Sequence, residues 1–134
     1  MAKLILIRGI PGTGKSTLAR NMQELIPDSM HFEADMFFMV NGEYQYNRDK
    51  ISDAHEWCMT RTEQSLKMGH TVIVSNTFVN IKTLKPYFAI AKKFGLVPTV
   101  IIANGSFQNE HSVPADVLAR MKSQFQIDTS ELFS

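Results

Sequence analysis

Short runs of consecutive apolar residues alternate along this chain with longer stretches in which apolar positions recur at helical spacing. Leu4 to Ile7 is the first run, and a helical stretch from Gly14 to Ile26 follows, ended by Pro27. Met30-His31-Phe32-Glu33 reads as a short second strand, and a loop containing Asn41-Gly42 comes after it. Asn47 is placed to cap a long helix from Arg48 to Met68, which Gly69 closes. Thr71-Val72-Ile73-Val74 is a β-branched third strand. Helical spacing returns from Asn80 to Gly95, where Pro86 predicts a kink or a helix start. Val97 to Ile102 is the fourth strand, with Pro98 at its start. A polar segment, Ala103 to Val113, leads to a last helix with Pro114 at its first position and Val117, Leu118, Met121 and Phe125 on its apolar face. Asp128 to Ser134 is expected to fray.

Strands written as continuous apolar runs are buried on both faces, and their alternation with helices makes them parallel. The pattern therefore predicts an α/β fold, a three-layer sandwich with a short parallel sheet of about four strands covered by helices on both faces, as one domain over residues 1–134. Ligands of such sheets bind beyond the carboxyl ends of the strands. That rule gathers residues 9–17, Asp35, Ser75-Asn76 and the 103–113 segment around one crevice.

The first of these carries the chemistry. Gly9-Ile10-Pro11-Gly12-Thr13-Gly14-Lys15-Ser16-Thr17 fits the phosphate-loop pattern G-x-x-x-x-G-K-[ST], between a strand and a helix. Glycines let successive amides curl inward around phosphate oxygens, and the helix opening at Gly14 adds its N-terminal dipole. The predicted nucleotide contacts are Gly9, Pro11, Gly12, Thr13, Gly14, Lys15, Ser16 and Thr17. Lys15 brings a full charge to the β- and γ-phosphates, and the Ser16 hydroxyl is placed to ligate Mg²⁺. The implied cofactors are ATP and Mg²⁺, and the sequence fits a P-loop NTPase.

Composition narrows the partners. A net charge of +1 excludes a broad polyanion-binding surface, so a nucleic acid would be held locally. The single Cys58 excludes an intrachain disulfide, and with no CxxC or Cys/His cluster a structural zinc site is not expected. No apolar run reaches membrane-spanning length, and the chain enters its first strand without a signal-peptide pattern. The expected setting is soluble and cytoplasmic.

Phosphoryl transfer also needs a group that orients the attacking hydroxyl. Asp35, just past the second strand, is the candidate base, with an N-cap of the Met36–Met39 turn as the plainer alternative. Asn76 can bond water or the γ-phosphate, or cap a turn. Arg48, Lys50 and Arg120 are candidate second cations, each with a solvated helix position as the alternative. His55 can line a substrate pocket, while Trp57 is expected to pack. Asn104, Gln108, Asn109 and His111 are the polar candidates of the lid-like segment. Lys82, Lys85, Lys92 and Lys93 share a helical stripe, which reads as a solvated face before it reads as a nucleic-acid contact.

The loop, the Asp35 block and the tail Val113-Pro114-Ala115-Asp116-Val117-Leu118-Ala119-Arg120-Met121 resemble the 5′-hydroxyl polynucleotide kinases. Ala34-Asp35-Met36-Phe37-Phe38, Gly42-Glu43-Tyr44, Ala54-His55-Glu56-Trp57 and Asn109-Glu110-His111-Ser112-Val113-Pro114 resemble the polynucleotide-kinase-like AAA-type ATP-binding proteins. This resemblance implies an ATP- and Mg²⁺-dependent kinase acting on a hydroxyl, such as a nucleic acid 5′ end or a nucleoside. It makes Lys15 and Ser16 the nucleotide and metal residues and Asp35 the general base. Three positions depart from the family's pattern. Phe38 stands where the polynucleotide kinases carry an Arg, Gln108 stands where the lid carries one, and Ser75-Asn76 replaces the Asp expected after the third strand. A protein partner supplying Arg in trans would restore the missing charge. Two other readings stay open: a nucleotide-binding module that controls a protein partner, and an ATPase.

Overall fold

The computed structural model describes residues 2–105 and 113–133. In chain order the elements are β1 (Leu4–Arg8), α1 (Lys15–Leu25), β2 (Ser29–Phe32), β3 (Met39–Val40), β4 (Glu43–Tyr44), α2 (Ile51–Lys67), β5 (Thr71–Asn76), α3 (Lys85–Lys93), β6 (Thr99–Ile102) and α4 (Ala115–Gln124). Four strands form one parallel sheet in the order β2-β5-β1-β6. The central pair is buried along its whole length, Leu4 opposite Val72 through Arg8 opposite Asn76. The connections that leave β1 and β5 run toward opposite edges of the sheet. Such a switch opens a crevice above their carboxyl ends.

Side chains alternate across each strand, so the two central strands feed two cores. Leu4, Leu6, Val72 and Val74 point to the face covered by α2 and α3, where Cys58, Leu66, Leu84 and Tyr87 meet them. Ile5, Ile7 and Ile73 point to the other face and pack on Leu18, Ala19 and Met22 of α1. The three layers expected from the pattern are present.

Several boundaries move for physical reasons. Asn47 accepts from the Asp49 amide at 2.9 Å, but what it caps is the single 3₁₀ turn Arg48–Lys50, and α2 begins only at Ile51. Pro86 sits in the first turn of α3 and so marks a start rather than a kink, with a separate turn at Ile81–Thr83 before it. Val97 and Pro98 precede β6, and Pro114 flanks α4 at its N-cap rather than opening it. The loop expected around Asn41-Gly42 is a hairpin, β3 against β4, with both turn residues at positive φ (50° and 83°).

The tail is the larger correction. Residues 130–133 form a turn instead of fraying. Leu132 packs on the main core, and Phe133 meets Phe88 edge-on at 5.1 Å. Arg8, fully buried at the end of β1, ties this region down. Its guanidinium donates to the Phe78 carbonyl at 2.9 and 3.1 Å, donates to the Gln126 carbonyl, and lies over the Phe125 ring.

Candidate functional site

The phosphate loop is built from backbone first. Gly12 and Gly14 take φ of 87° and 84°, a left-handed region that favours glycine. These turns aim the chain back onto α1, which begins at Lys15 with no side-chain cap and no acid in its first turn. The helix N-terminus is thus left to an anionic ligand. Thr13 closes the loop by donating to the Ile10 carbonyl at 2.7 Å, and the Gly105 amide donates to the Thr13 carbonyl at 3.0 Å. A Cβ at Gly9 would collide with the Thr13 hydroxyl, so that glycine is needed for close approach.

Over the strand ends lies a cavity of about 980 Å³, near the upper end for ligand pockets. Pro11, Gly12 and Gly14 to Thr17 of the loop line it, together with Asp35, Tyr44, Tyr46 and His55. Gly9 and Thr13 shape the loop from beneath. The sequence thus brings Lys15, Ser16, Asp35, Asn76 and His55 to one space.

Asp35 lies inside the turn Ala34–Phe38, whose N-cap position is Glu33 and which has no side-chain cap. The capping alternative for Asp35 is therefore removed. Its carboxylate Oδ1 accepts from the Tyr44 hydroxyl at 3.3 Å. Burial, then the charge of Asp35, pushes Tyr44 up to about 12, so the phenol stays a donor at neutral pH. Partial burial of the His55 ring lowers its pKa, and Asp35 pulls the other way. Asn76 is buried, and its Oδ1 accepts from the Ala34 amide at 2.9 Å. It ties the end of β5 to the turn that carries Asp35.

Glu33 was passed over in the sequence. It follows β2 at the cavity wall and accepts from the Ser75 hydroxyl at 2.6 Å. His31 Nε2 lies 2.8 Å from Ser75 Oγ and 3.2 Å from Glu33 Oε2. Burial would raise this carboxyl, but hydrogen bonds from His31, Ser16 and Ser75 outweigh it and hold Glu33 down at about 2. The available signal was a carboxylate at the carboxyl end of a buried strand. Arg8 was missed as well, but its charge points to the tail, away from the phosphates.

The remaining candidates are placed elsewhere. Arg48 and Lys50 line a smaller cavity of about 620 Å³ that shares Phe38 and Tyr46 with the first. Arg120 is exposed on α4, whose Val117 and Met121 line the main cavity. Gln108, Asn109 and His111 lie outside the described residues. Trp57 packs edge-on against Phe32 at 6.1 Å, as expected. Lys82, Lys85, Lys92 and Lys93 are exposed, and Lys93 pairs with Glu63 at 2.7 Å. Among the described residues no helix is long and apolar enough to cross a membrane. Among them, too, no group of three or more His, Cys, Asp or Glu could cage a metal. One hydroxyl with one carboxylate behind it fits Mg²⁺, which keeps several waters and is held largely by substrate phosphates.

Residues 4–127 match the AAA domain family. The chain belongs to that family. It is a P-loop kinase-like domain related to nucleotide and polynucleotide kinases. It is similar to human NEDD4-binding protein 2, 38% identical over 91 residues, which are 67% of this chain and 5% of that protein. It is also similar to an Acanthamoeba polyphaga mimivirus protein provisionally named a bifunctional polynucleotide phosphatase/kinase, 26% identical over 68% of this chain and 18% of that one. In fold it resembles a chain of the Pnkp1/Rnl/Hen1 RNA repair complex, with a TM-score of 0.74 and 19% identity over 99% of this chain and 46% of the other. The chain thus spans less than half of each of these three.

Proposed function

We propose that the domain transfers the γ-phosphoryl of ATP to a hydroxyl, with a nucleic acid 5′ end or a nucleoside as the acceptor. The observation that carries this reading is Asp35, lining one cavity with Lys15 and Ser16 and bonded to Tyr44. The acceptor hydroxyl gives its proton to the Asp35 carboxylate while its oxygen bonds to the γ-phosphorus. The bond from that phosphorus to the β–γ bridging oxygen breaks, and ADP leaves. Lys15 and the amides of the loop hold the β- and γ-phosphates, and Asn76 holds the turn of Asp35. Mg²⁺, when bound through Ser16, neutralises charge on the β- and γ-oxygens. Tyr44 and Tyr46 favour an acceptor with a base: their rings are near-parallel, 18° apart in plane, and both reach the cavity beside Asp35. The relative named for polynucleotide kinase activity points the same way.

Transfer of label from γ-labelled ATP to 5′-hydroxyl oligonucleotides and nucleosides tests the proposal. Asp35→Asn is expected to cut transfer on the order of a thousandfold with ATP affinity kept. ATP bound, with no acceptor labelled by the wild type, would refute it.

One observation favours a second reading. Lys15 is the only Lys or Arg among the described residues that line the cavity. A module whose nucleotide state controls a partner, or a kinase completed by a partner's Arg, would look like this. Partner capture that needs ATP and is lost in Lys15→Ala, without turnover, is the expected sign of the module.

A further inference from the structure

We propose that Glu33 anchors the hydrated metal of the bound nucleotide, taking the place of the acid that the end of β5 lacks. The inference rests on the reading of Lys15 and Ser16 as a nucleotide site, and not on the identity of any acceptor.

At the carboxyl end of β5 stand Ser75 and Asn76. One offers a hydroxyl and the other a neutral amide, and Asn76 is already bonded to Ala34. Neither brings charge to a metal's water shell. The neighbouring strand does. β2 runs parallel to β5 with Phe32 opposite Val74, so the next residue of each strand, Glu33 and Ser75, also lie side by side. The Glu33 carboxylate reaches across that gap, accepts the Ser75 hydroxyl at 2.6 Å, and lines the same cavity as Ser16. A negative charge therefore occupies the same corner of the cavity, supplied by the adjacent strand.

Sharing that corner with Ser16 gives this placement its meaning. A hydroxyl that ligates a cation uses an oxygen lone pair and must donate its proton elsewhere. A carboxylate is the strongest acceptor for that proton, and the bond strengthens as the metal polarises the hydroxyl. Glu33 thus fixes the direction in which Ser16 presents its lone pairs. Its remaining acceptor positions suit the waters that Mg²⁺ retains. His31, bonded to both Ser75 and Glu33, fixes the group from behind. A purely structural Glu33 would do no more than join β2 to β5 through Ser75.

Glu33→Gln separates the two roles, because it keeps size and hydrogen-bonding reach while removing the charge. The measurements are calorimetric ATP binding without metal and electron paramagnetic resonance of Mn²⁺ bound with ATP. The expected result is Mn²⁺–ATP binding weakened about tenfold or more, the usual range for losing a partner behind a metal ligand. Metal-free ATP should bind as well as to wild type or better, since a charge facing the phosphates is gone. Equal weakening of both forms, or no change in either, would overturn the proposal. If Glu33→Gln does not fold, Glu33→Asp keeps the charge one methylene further back. It should weaken Mn²⁺–ATP about threefold and spare metal-free ATP, and no such split would again refute the proposal. Wild-type protein that binds ATP but labels no acceptor sinks the kinase reading and leaves this inference standing, whereas failure to bind ATP sinks both.

Discussion

The two sides of the cavity are held by different means. Beside the phosphate loop, Ser75 and Asn76 are buried, Glu33 nearly so, and each is bonded across strands or to distant backbone. Beside Asp35, Tyr44 and Tyr46 are 39% and 54% exposed on and beside a two-stranded hairpin, leaning on one buried ring, Phe38. A buried polar network is costly to leave half-satisfied, so it tolerates few substitutions and fixes geometry. Exposed rings on a short hairpin can change at small cost in stability, and specificity concentrates on such surfaces.

Breaking the buried tether beneath the cavity's strands, at Arg8, gives the largest effect. Arg8→Met removes the donor to the Phe78 and Gln126 carbonyls and should cost about 3 kcal/mol, chiefly for the buried Phe78 carbonyl left without its charged partner. Urea denaturation midpoints check the loss. Limited proteolysis should also cut the 125–133 tail earlier in the variant. A tail equally protected in both proteins would mean that the core contacts of Leu132 and Phe133 hold it without Arg8.

Lys15→Ala comes next. It takes the one lysine or arginine from the described cavity wall and should weaken ATP binding by about 2–3 kcal/mol, on the order of a hundredfold, read by calorimetry. The fold should be kept, because both cores and the Arg8 tether are elsewhere. Lost ATP binding with unchanged denaturation would show that nucleotide affinity and stability are separable on this side.

Sequence periodicity exposed the part of this arrangement that local pattern encodes. The four sheet strands, the parallel layering, the glycine loop and Asp35 all follow from residues within a few positions of one another. What escaped depends on partners far along the chain. Arg8 reads as the polar end of an apolar run, and its burial follows only from carbonyls at Phe78 and Gln126, 70 and 118 residues away. Glu33 gains a role only beside Ser75, 42 residues on. The tail reads as polar and terminal, and nothing local announces Phe88 or Arg8. The β3–β4 hairpin was different: Asn41-Gly42 signals a tight turn, but two-residue strands are too short to show alternation.

The acceptor side should respond to smaller changes, and in a different quantity. Tyr46→Ala removes an exposed ring and should raise KM for an oligonucleotide or nucleoside acceptor by about tenfold, within the 1–3 kcal/mol range of base stacking. KM for ATP should not move. A rise in both would mean that the hairpin supports the phosphate side, and the two halves would no longer be independent.

The smallest effect is a pH dependence. Tyr44 ionises near 12 in the folded protein instead of at 10.0, since burial and the charge of Asp35 oppose the phenolate. The folded state therefore holds this proton more tightly than the unfolded chain. Its contribution to stability is complete below pH 10 and is lost as pH rises through 12. Because the ring is more than a third exposed, solvent screening keeps the contribution below about 1 kcal/mol. Tyr87, also raised by burial, titrates in both proteins, so the comparison of wild type with Tyr44→Phe cancels it. Wild type should lose thermal stability more steeply than Tyr44→Phe between pH 10 and 12, and the two should run parallel below pH 9. Parallel curves throughout would mean that Tyr44 does not face Asp35 in solution, and the hairpin would then have to be placed further from that carboxylate than its hydrogen bond puts it.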